Sequence, residues 1–386
     1  SFRVSWSIHS DLHFSSSAAV MRELGAIPMV ILATAWNAIS RPCVALLRSL
    51  GLCPKPLQLP PEVDMSRRVV IVTGANTGIG NRTAFHLARM GAKVIMACRS
   101  IERGEAARAK IEEEIRANPG ISAQAAGTLE VMKCDLGSLQ SVREFARTFK
   151  ERHGERLDVL VNNAGVGIGG TITSDGLNEC FGTNFIGHFV LTIELMPLIQ
   201  ATHAARVVCL SSITHHVGCT EWESSAGGHK GHMRRSTYAD SKLAMVLFSK
   251  ELRRRFKAAG SSATAFSVNP GAVRSDIWRN VPKVLMPVYD VFMRLLFLDV
   301  EKGSRTSVCT STMELESLSG DDYYQPYWLP FGLAIPFEIM GPFVGCAPGR
   351  PTLPKDEPTA SAEMWAACTR IVRATEAARS GAPTSS

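Results

Sequence analysis

Between residues 66 and 324 the chain repeats one pattern. Short aliphatic runs occur at Arg68–Val72, Lys93–Ala97, Leu129–Cys134, Asp158–Val161, Arg206–Leu210 and Thr264–Val268. They do not alternate apolar with polar positions, so they predict strands buried on both faces. Longer stretches with helical spacing lie among them, at Asn81–Met90, Glu102–Ala117, Ser138–His153 and Thr237–Lys257. Strands that alternate with helices predict an α/β fold with a doubly wound parallel sheet.

The flanks read differently. Residues 1–65 are Ser-rich, then apolar, then punctuated by Pro54, Pro56, Pro60 and Pro61, which predicts an N-terminal extension ending in a stiff linker. Within it, 24–40 carries no charge. Its length is at the lower limit of the ~17 to 25 residues that span a bilayer, so it predicts a membrane anchor, spanning or interfacial. A docked amphipathic helix or a targeting remnant is the alternative. The sequence begins at Ser1 rather than Met, so nothing rests on where it starts. Residues 326–386 open on a Pro- and aromatic-rich insertion and end in a helical stretch, Ala360–Ala378, with a polar tail. The expected organisation is a single catalytic domain, 66–325, between the extensions 1–65 and 326–386.

With 45% hydrophobic and 20% charged residues among 386, a disordered or multi-span chain is excluded. The net charge of +7 is spread thinly. Its local concentrations, Arg253–Arg255 and 230–235, lack the interleaved aromatics of a nucleic-acid surface, and the Arg triplet reads as a solvated helix face. Ten cysteines without a CxxC pair point to reduced, mostly buried thiols in an intracellular compartment. His215, His216 and Cys219, or His229 and His232, do not complete a four-ligand set, so no metal is expected.

The first strand runs into Thr73-Gly74-Ala75-Asn76-Thr77-Gly78-Ile79-Gly80 and then a helix. Glycines at 74, 78 and 80 let the backbone turn tightly and approach a pyrophosphate, which the helix N-terminus binds through its N–H groups and dipole. Strand, loop and helix together predict dinucleotide binding on a Rossmann-type sheet. Tyr238 and Lys242, four apart, share one helix face. An ammonium there lowers the phenol pKa from about 10 and makes Tyr238 usable as a general acid/base.

The G-x-x-x-G-x-G spacing resembles the short-chain dehydrogenase/reductase family, and further motifs follow in that family's order. They are Asn162-Asn163-Ala164-Gly165, Asn184 in Phe181-Gly-Thr-Asn-Phe-Ile-Gly-His188, Ser212, Tyr238-Ala-Asp-Ser-Lys242 and Asn269-Pro270-Gly271. The resemblance implies that Tyr238 exchanges the substrate proton and that Lys242 supports it and binds the nicotinamide ribose. It implies that Ser212 bonds the substrate oxygen, with Ser211 as the alternative, and that Asn184 holds a water in a proton relay. It further implies cofactor contacts from Gly74, Asn76, Thr77, Gly78, Ile79, Gly80, Asp135, Leu136, Asn163, Ala164, Gly165, Pro270, Gly271, Val273 and Ser275, besides Tyr238 and Lys242. Asp135 would face the adenine amino group, or cap the helix that starts near Ser138.

The second strand ends in Ala97-Cys98-Arg99-Ser100 with no acidic residue. Arg99 suits a 2′-phosphate, so NADP(H) is the expected cofactor. Ala97-Cys98-Arg99, Ser174-Asp175-Gly176, Ser211-Ser212-Ile-Thr-His-His and Tyr238-Ala-Asp-Ser-Lys-Leu-Ala-Met-Val-Leu-Phe resemble the retinol dehydrogenase-like branch. That branch implies an apolar alcohol and its aldehyde or ketone as substrates, and an intracellular enzyme attached to an endoplasmic-reticulum-like membrane, with cytoplasm or another organelle as the alternative. A protochlorophyllide reductase-like enzyme and a non-catalytic NADP-binding regulator are the other readings. His215 and His216 are expected to flank the substrate mouth, and His188 to be a satisfied core residue. Residues 284–298 correspond to a variable substrate lid.

Overall fold

The computed structural model describes residues 63–118, 126–154, 156–167, 171–228, 236–271, 273–274, 298–318, 322–326, 346–348, 351 and 353–380. The anchor segment 24–40, His229, His232, Ser275, most of the 284–298 lid and most of the 326–358 insertion lie outside them.

Eight strands form one sheet: β1 Val69–Thr73, β2 Lys93–Cys98, β3 Leu129–Lys133, β4 Val159–Asn162, β5 Arg206–Leu210, β6 Thr264–Val268, β7 Tyr323–Pro326 and β8 Cys346–Pro348. Their order is β3-β2-β1-β4-β5-β6-β7-β8. The pairs from β3 across to β7 are parallel, and β8 closes the edge antiparallel to β7. The six predicted strands are present, with no end shifted by more than one residue. The aromatic β7 and the short β8 had no aliphatic run to announce them.

The helices are α1 Gly78–Arg89, α2 Ile101–Ala117, α3 Leu139–His153, α4 Glu179–Ala201, α5 Trp222–Ala226, α6 Thr237–Ala258, α7 Val300–Thr312 and α8 Glu357–Ser380. Ser100, Ser138 and Ser236 cap α2, α3 and α6 by accepting backbone N–H bonds. Successive strand side chains go to opposite faces. Ile71, Leu160 and Val207 pack under α3, α4, α6 and α8. Val70, Val72, Val161 and Val208 pack under α1, α2 and α7. Cores on both faces explain why the strand sequences do not alternate.

α4 is long and apolar enough to cross a membrane, with mean hydropathy 1.3, yet 67% of that stretch is buried inside the protein. It is a core helix, largely apolar because most of it is surrounded. α8 joins the same core through Met364, Ala367, Cys368, Ile371 and Val372. Trp365 meets Phe189 edge-on at 5.1 Å. The Arg triplet lies at the surface as expected, with Arg255 exposed, and it also holds this helix: Arg255 lies 3.8 Å over the Trp365 ring and Arg254 pairs with Glu357.

Candidate active site

The sheet reverses its order between β1 and β4, the point at whose carboxyl-end side doubly wound sheets bind their ligands. Both predicted nucleotide motifs follow these two strands. Gly74 and Gly78 adopt φ of +65° and +60°. A Cβ on Gly80 would lie 2.3 Å from Asn163 Nδ2 and 2.6 Å from Gly74 O, so the two loops are in direct contact. Asn163 donates from Nδ2 to Thr73 O at 2.7 Å. The Thr73 hydroxyl accepts the N–H groups of Asn163 and Ala164 at 2.9 and 3.0 Å. α1 begins at this junction with no acidic residue in its first turn, which suits an anion.

Around this cradle stand the other expected cofactor residues. Asn76, Thr77 and Ile79 belong to the loop and the first turn of α1, and Arg99 is exposed at the end of β2. Asp135 Oδ1 accepts the Gly137 N–H at 3.0 Å, while Ser138 caps α3. The capping alternative for Asp135 is thereby excluded. Leu136 is buried beside it. Beyond β6, Asn269 Oδ1 accepts the Gly271 N–H at 3.0 Å, Gly271 takes φ of +79°, Pro270 is buried, and Val273 pairs with Leu298. A glycine-lined cradle, a bare helix start and an exposed guanidinium fit a dinucleotide.

The second cluster is made of side chains. Lys242 is buried on α6, its Nζ donating to Leu210 O at 3.0 Å and lying 5.5 Å from the centroid of the half-buried Tyr238 ring. Burial pulls the ammonium down to about 8, against the raising influence of the Cys180 and Cys209 thiols. A Cβ on Gly165 would lie 3.4 Å from Asn184 Oδ1 and 3.7 Å from Lys242 Nζ, so this glycine sits between the two. Asn184 occupies a π-wound turn, Gly182–Ile186, inside α4. Its carboxamide grips the main chain of Val166 from both sides, Oδ1 accepting at 2.7 Å and Nδ2 donating at 3.0 Å.

The two serines separate cleanly. Ser211 is buried and donates to Lys242 O at 2.8 Å, bracing α6. Ser212 is half-buried and starts the 3-10 turn Ile213–Val217. His215, expected at the mouth, is buried, with Nδ1 at 2.7 Å from Ser212 O and its ring 3.9 Å from that of His216. It supports the turn that presents Ser212. No cluster of metal-binding side chains occurs among the described residues.

The profile of the short chain dehydrogenase family matches residues 68–284. The chain belongs to this family. Over 288 residues it is 38% identical to retinol dehydrogenase 11 of Mus musculus, covering 73% of this chain and 83% of that protein. It is 38% identical to polyprenol dehydrogenase of Homo sapiens over 273 residues, 69% of this chain and 78% of the relative. A crystal structure of an uncharacterized protein from Mycobacterium paratuberculosis superposes with a TM-score of 0.60 at 31% identity, covering 83% of this chain and 98% of that one. The protein is thus a short-chain dehydrogenase, an oxidoreductase of retinol dehydrogenase-like type.

Some participants of this short-chain dehydrogenase site had not been singled out. Thr73 welds the two cofactor loops, Cys180 Sγ accepts from Asn184 Nδ2 at 3.3 Å, and the buried Asp240 accepts from Cys219 N and Ser225 Oγ at 2.8 and 3.0 Å. Asp240 lies inside the Tyr-Ala-Asp-Ser-Lys motif and was legible by position. Thr73 heads the glycine loop and was legible in the same way, whereas Cys180 is recognisable only from its neighbours in space.

Proposed function

We propose that the chain is an NADP(H)-dependent oxidoreductase that interconverts an apolar alcohol and its aldehyde or ketone. The observation that carries this reading is the buried Lys242 ammonium, 5.5 Å from the Tyr238 ring and beside the Gly165 corner of the cradle. In the reducing direction Tyr238 gives its hydroxyl proton to the substrate oxygen, and Lys242 stabilises the phenolate left behind. Ser212 holds that oxygen by a hydrogen bond. Asn184 keeps the Val166 loop and the Lys242 side of the site in register and supports the proton path. The dinucleotide, when bound, supplies the hydride, and the protein provides orientation and the proton.

Arg99 supports the choice of NADP(H): it is exposed where β2 ends, the position at which an acidic residue would repel a 2′-phosphate. The retinol and polyprenol dehydrogenases among the relatives support an apolar substrate. Attachment through 24–40 to an endoplasmic-reticulum-like membrane, and the division into a domain at 66–325 with extensions 1–65 and 326–386, belong to the same proposal.

The test is NADPH consumption with a panel of apolar aldehydes and ketones, comparing the parent with Tyr238→Phe. Turnover by the parent that the variant loses is expected. Cofactor binding without turnover on any carbonyl would instead favour a regulatory protein. Light-dependent loss of a chlorophyll precursor would favour the protochlorophyllide reductase-like reading.

A further inference from the structure

One line of polar side chains along α4 is wholly buried. Asn184, His188 and Thr192 recur every four residues and so share one face of the helix, turned toward the ends of β1 and β4. Each is fully buried. His188 sits in the middle, with Nδ1 2.9 Å from Asn184 O and Nε2 2.8 Å from Thr73 Oγ1. Thr192 donates to His188 O at 2.8 Å and accepts from Asn162 Nδ2 at 3.0 Å.

The protons in this chain can be assigned by elimination. A carbonyl oxygen only accepts, so the ring proton is on Nδ1 and points at Asn184 O. The Thr73 oxygen already accepts two backbone N–H groups, from Asn163 and Ala164, which fills both lone pairs. Its own proton is left to donate, and Nε2 at 2.8 Å is nearer than Val161 O at 3.3 Å. A second ring proton would face a hydroxyl with no lone pair left to accept it. Burial accordingly drives the ring down to about 3; the bond to Asn184 O opposes this, and the Lys242 charge reinforces it.

We propose that His188, held as the neutral Nδ1–H tautomer, is a positioning residue that ties the Thr73 hydroxyl of the cofactor loop to the Asn184 carbonyl of the π-wound turn. The tie joins three parts of the site. Thr73 sets the Asn163–Ala164 wall of the cradle, Asn184 grips Val166 two residues further along the same loop, and the π winding that aims Asn184 rests on the ring nitrogen. Since a buried polar network is worth its full strength only when every member is bonded, a lost ring nitrogen would slacken both ends. The inference rests on the oxidoreductase reading for its effect on turnover, but not for its effect on the ring or on cofactor affinity.

Three variants and two readouts besides turnover separate the possibilities. His188→Phe keeps a planar ring and loses both bonds. It is expected to weaken NADPH affinity and lower kcat, each by about tenfold or more, as for orphaned buried polar groups. His188→Asn can still donate from its amide near the Nδ1 position. It is expected to recover most of kcat while leaving cofactor affinity weakened, because the Thr73 link stays broken. Thr73→Val alone should weaken NADPH affinity at least as much as His188→Phe, because the Asn163 and Ala164 N–H groups then lose their acceptor as well.

On the full chain, nitrogen NMR of labelled histidine should show one ring in the Nδ1–H neutral form, unchanged from pH 5 to 9 and absent in His188→Asn. A ring that titrates in that range or carries its proton on Nε2 overturns the proposal. So does a His188→Phe protein with kcat and NADPH affinity within twofold of the parent. If His188→Phe does not fold, the NMR signature and the split between kcat and affinity in His188→Asn decide. If the parent reduces no carbonyl, the proposed function fails while the tautomer and the NADPH titration still judge His188.

Discussion

The cofactor cradle and the proton-transfer corner adjoin at Gly165 but are built from different material. The cradle is backbone: Gly74 and Gly78 at positive φ, Gly80 pressed against Asn163, and amide groups fixed by one threonine hydroxyl. The corner is side chain: Asn184 in a π turn, Lys242 buried on α6, Tyr238 half-exposed above it. A backbone site fails when atoms are added, and a side-chain site fails when a proton or charge is removed at constant shape. The same size of change should therefore be harmless in one region and severe in the other.

The strongest way to break this contrast is Tyr238→Phe, which removes one oxygen. Turnover should fall by ~10²- to 10⁴-fold with a far smaller loss of NADPH affinity, read by steady-state kinetics beside a binding titration. Equal losses in both would mean that the corner also builds the cradle. The reciprocal change is Gly80→Ala. The added carbon meets Gly74 O and the Asn163 amide, so cofactor affinity should weaken by roughly 100-fold, as for misplacements of about 1 Å. Retained affinity would show that the loops yield.

Lys242→Met sharpens the comparison through pH. The folded-state pKa of Lys242 is lowered to about 8 from 10.5, so between those values the unfolded chain holds more protons than the folded one. Parent stability relative to the variant should therefore be lowest below pH 8, rise through that window and level off above 10.5. The rise is a few kcal/mol, at about 1.4 per pKa unit. Denaturant melts of both proteins at pH 7, 9 and 10.5 measure it. A parallel pH response would place the ammonium in water.

Arg99→Asp tests the cradle's outer end. The kcat/KM ratio for NADP(H) over NAD(H) should fall by about tenfold or more, from loss of a charge-assisted bond and gain of repulsion. Unchanged preference would sink the phosphate assignment. The smallest effect is expected from Arg255→Gln, which removes the cation over Trp365 behind the corner. Stability should drop by about 0.5 to 1 kcal/mol, with NADPH affinity intact.

Much of this was open to a reader of the chain. A glycine loop needs only local geometry, and a Tyr and a Lys four apart on a helix must meet, so the cradle and the Tyr238–Lys242 pair were both legible. Buried strands follow from periodicity, and the helix expected near Ser138 starts there, with that serine as its cap. His188 was correctly read as satisfied, yet its partner Thr73 is 115 positions away. No local pattern reports such a meeting. Likewise nothing around the exposed Arg255 announced Trp365, which reaches it only once α8 has packed on the sheet.

What the order of residues settled is therefore what short-range sterics and hydrogen bonding settle: the βαβ alternation, the turns that only glycine makes, and the spacing of a tyrosine and a lysine along one helix. Tertiary packing decided which helix became the core, which of two serines braces α6 and which starts the outward turn, and where the buried protons sit. Those outcomes depend on desolvation and on partners brought together across the sheet, and both exist only after the chain has closed around them.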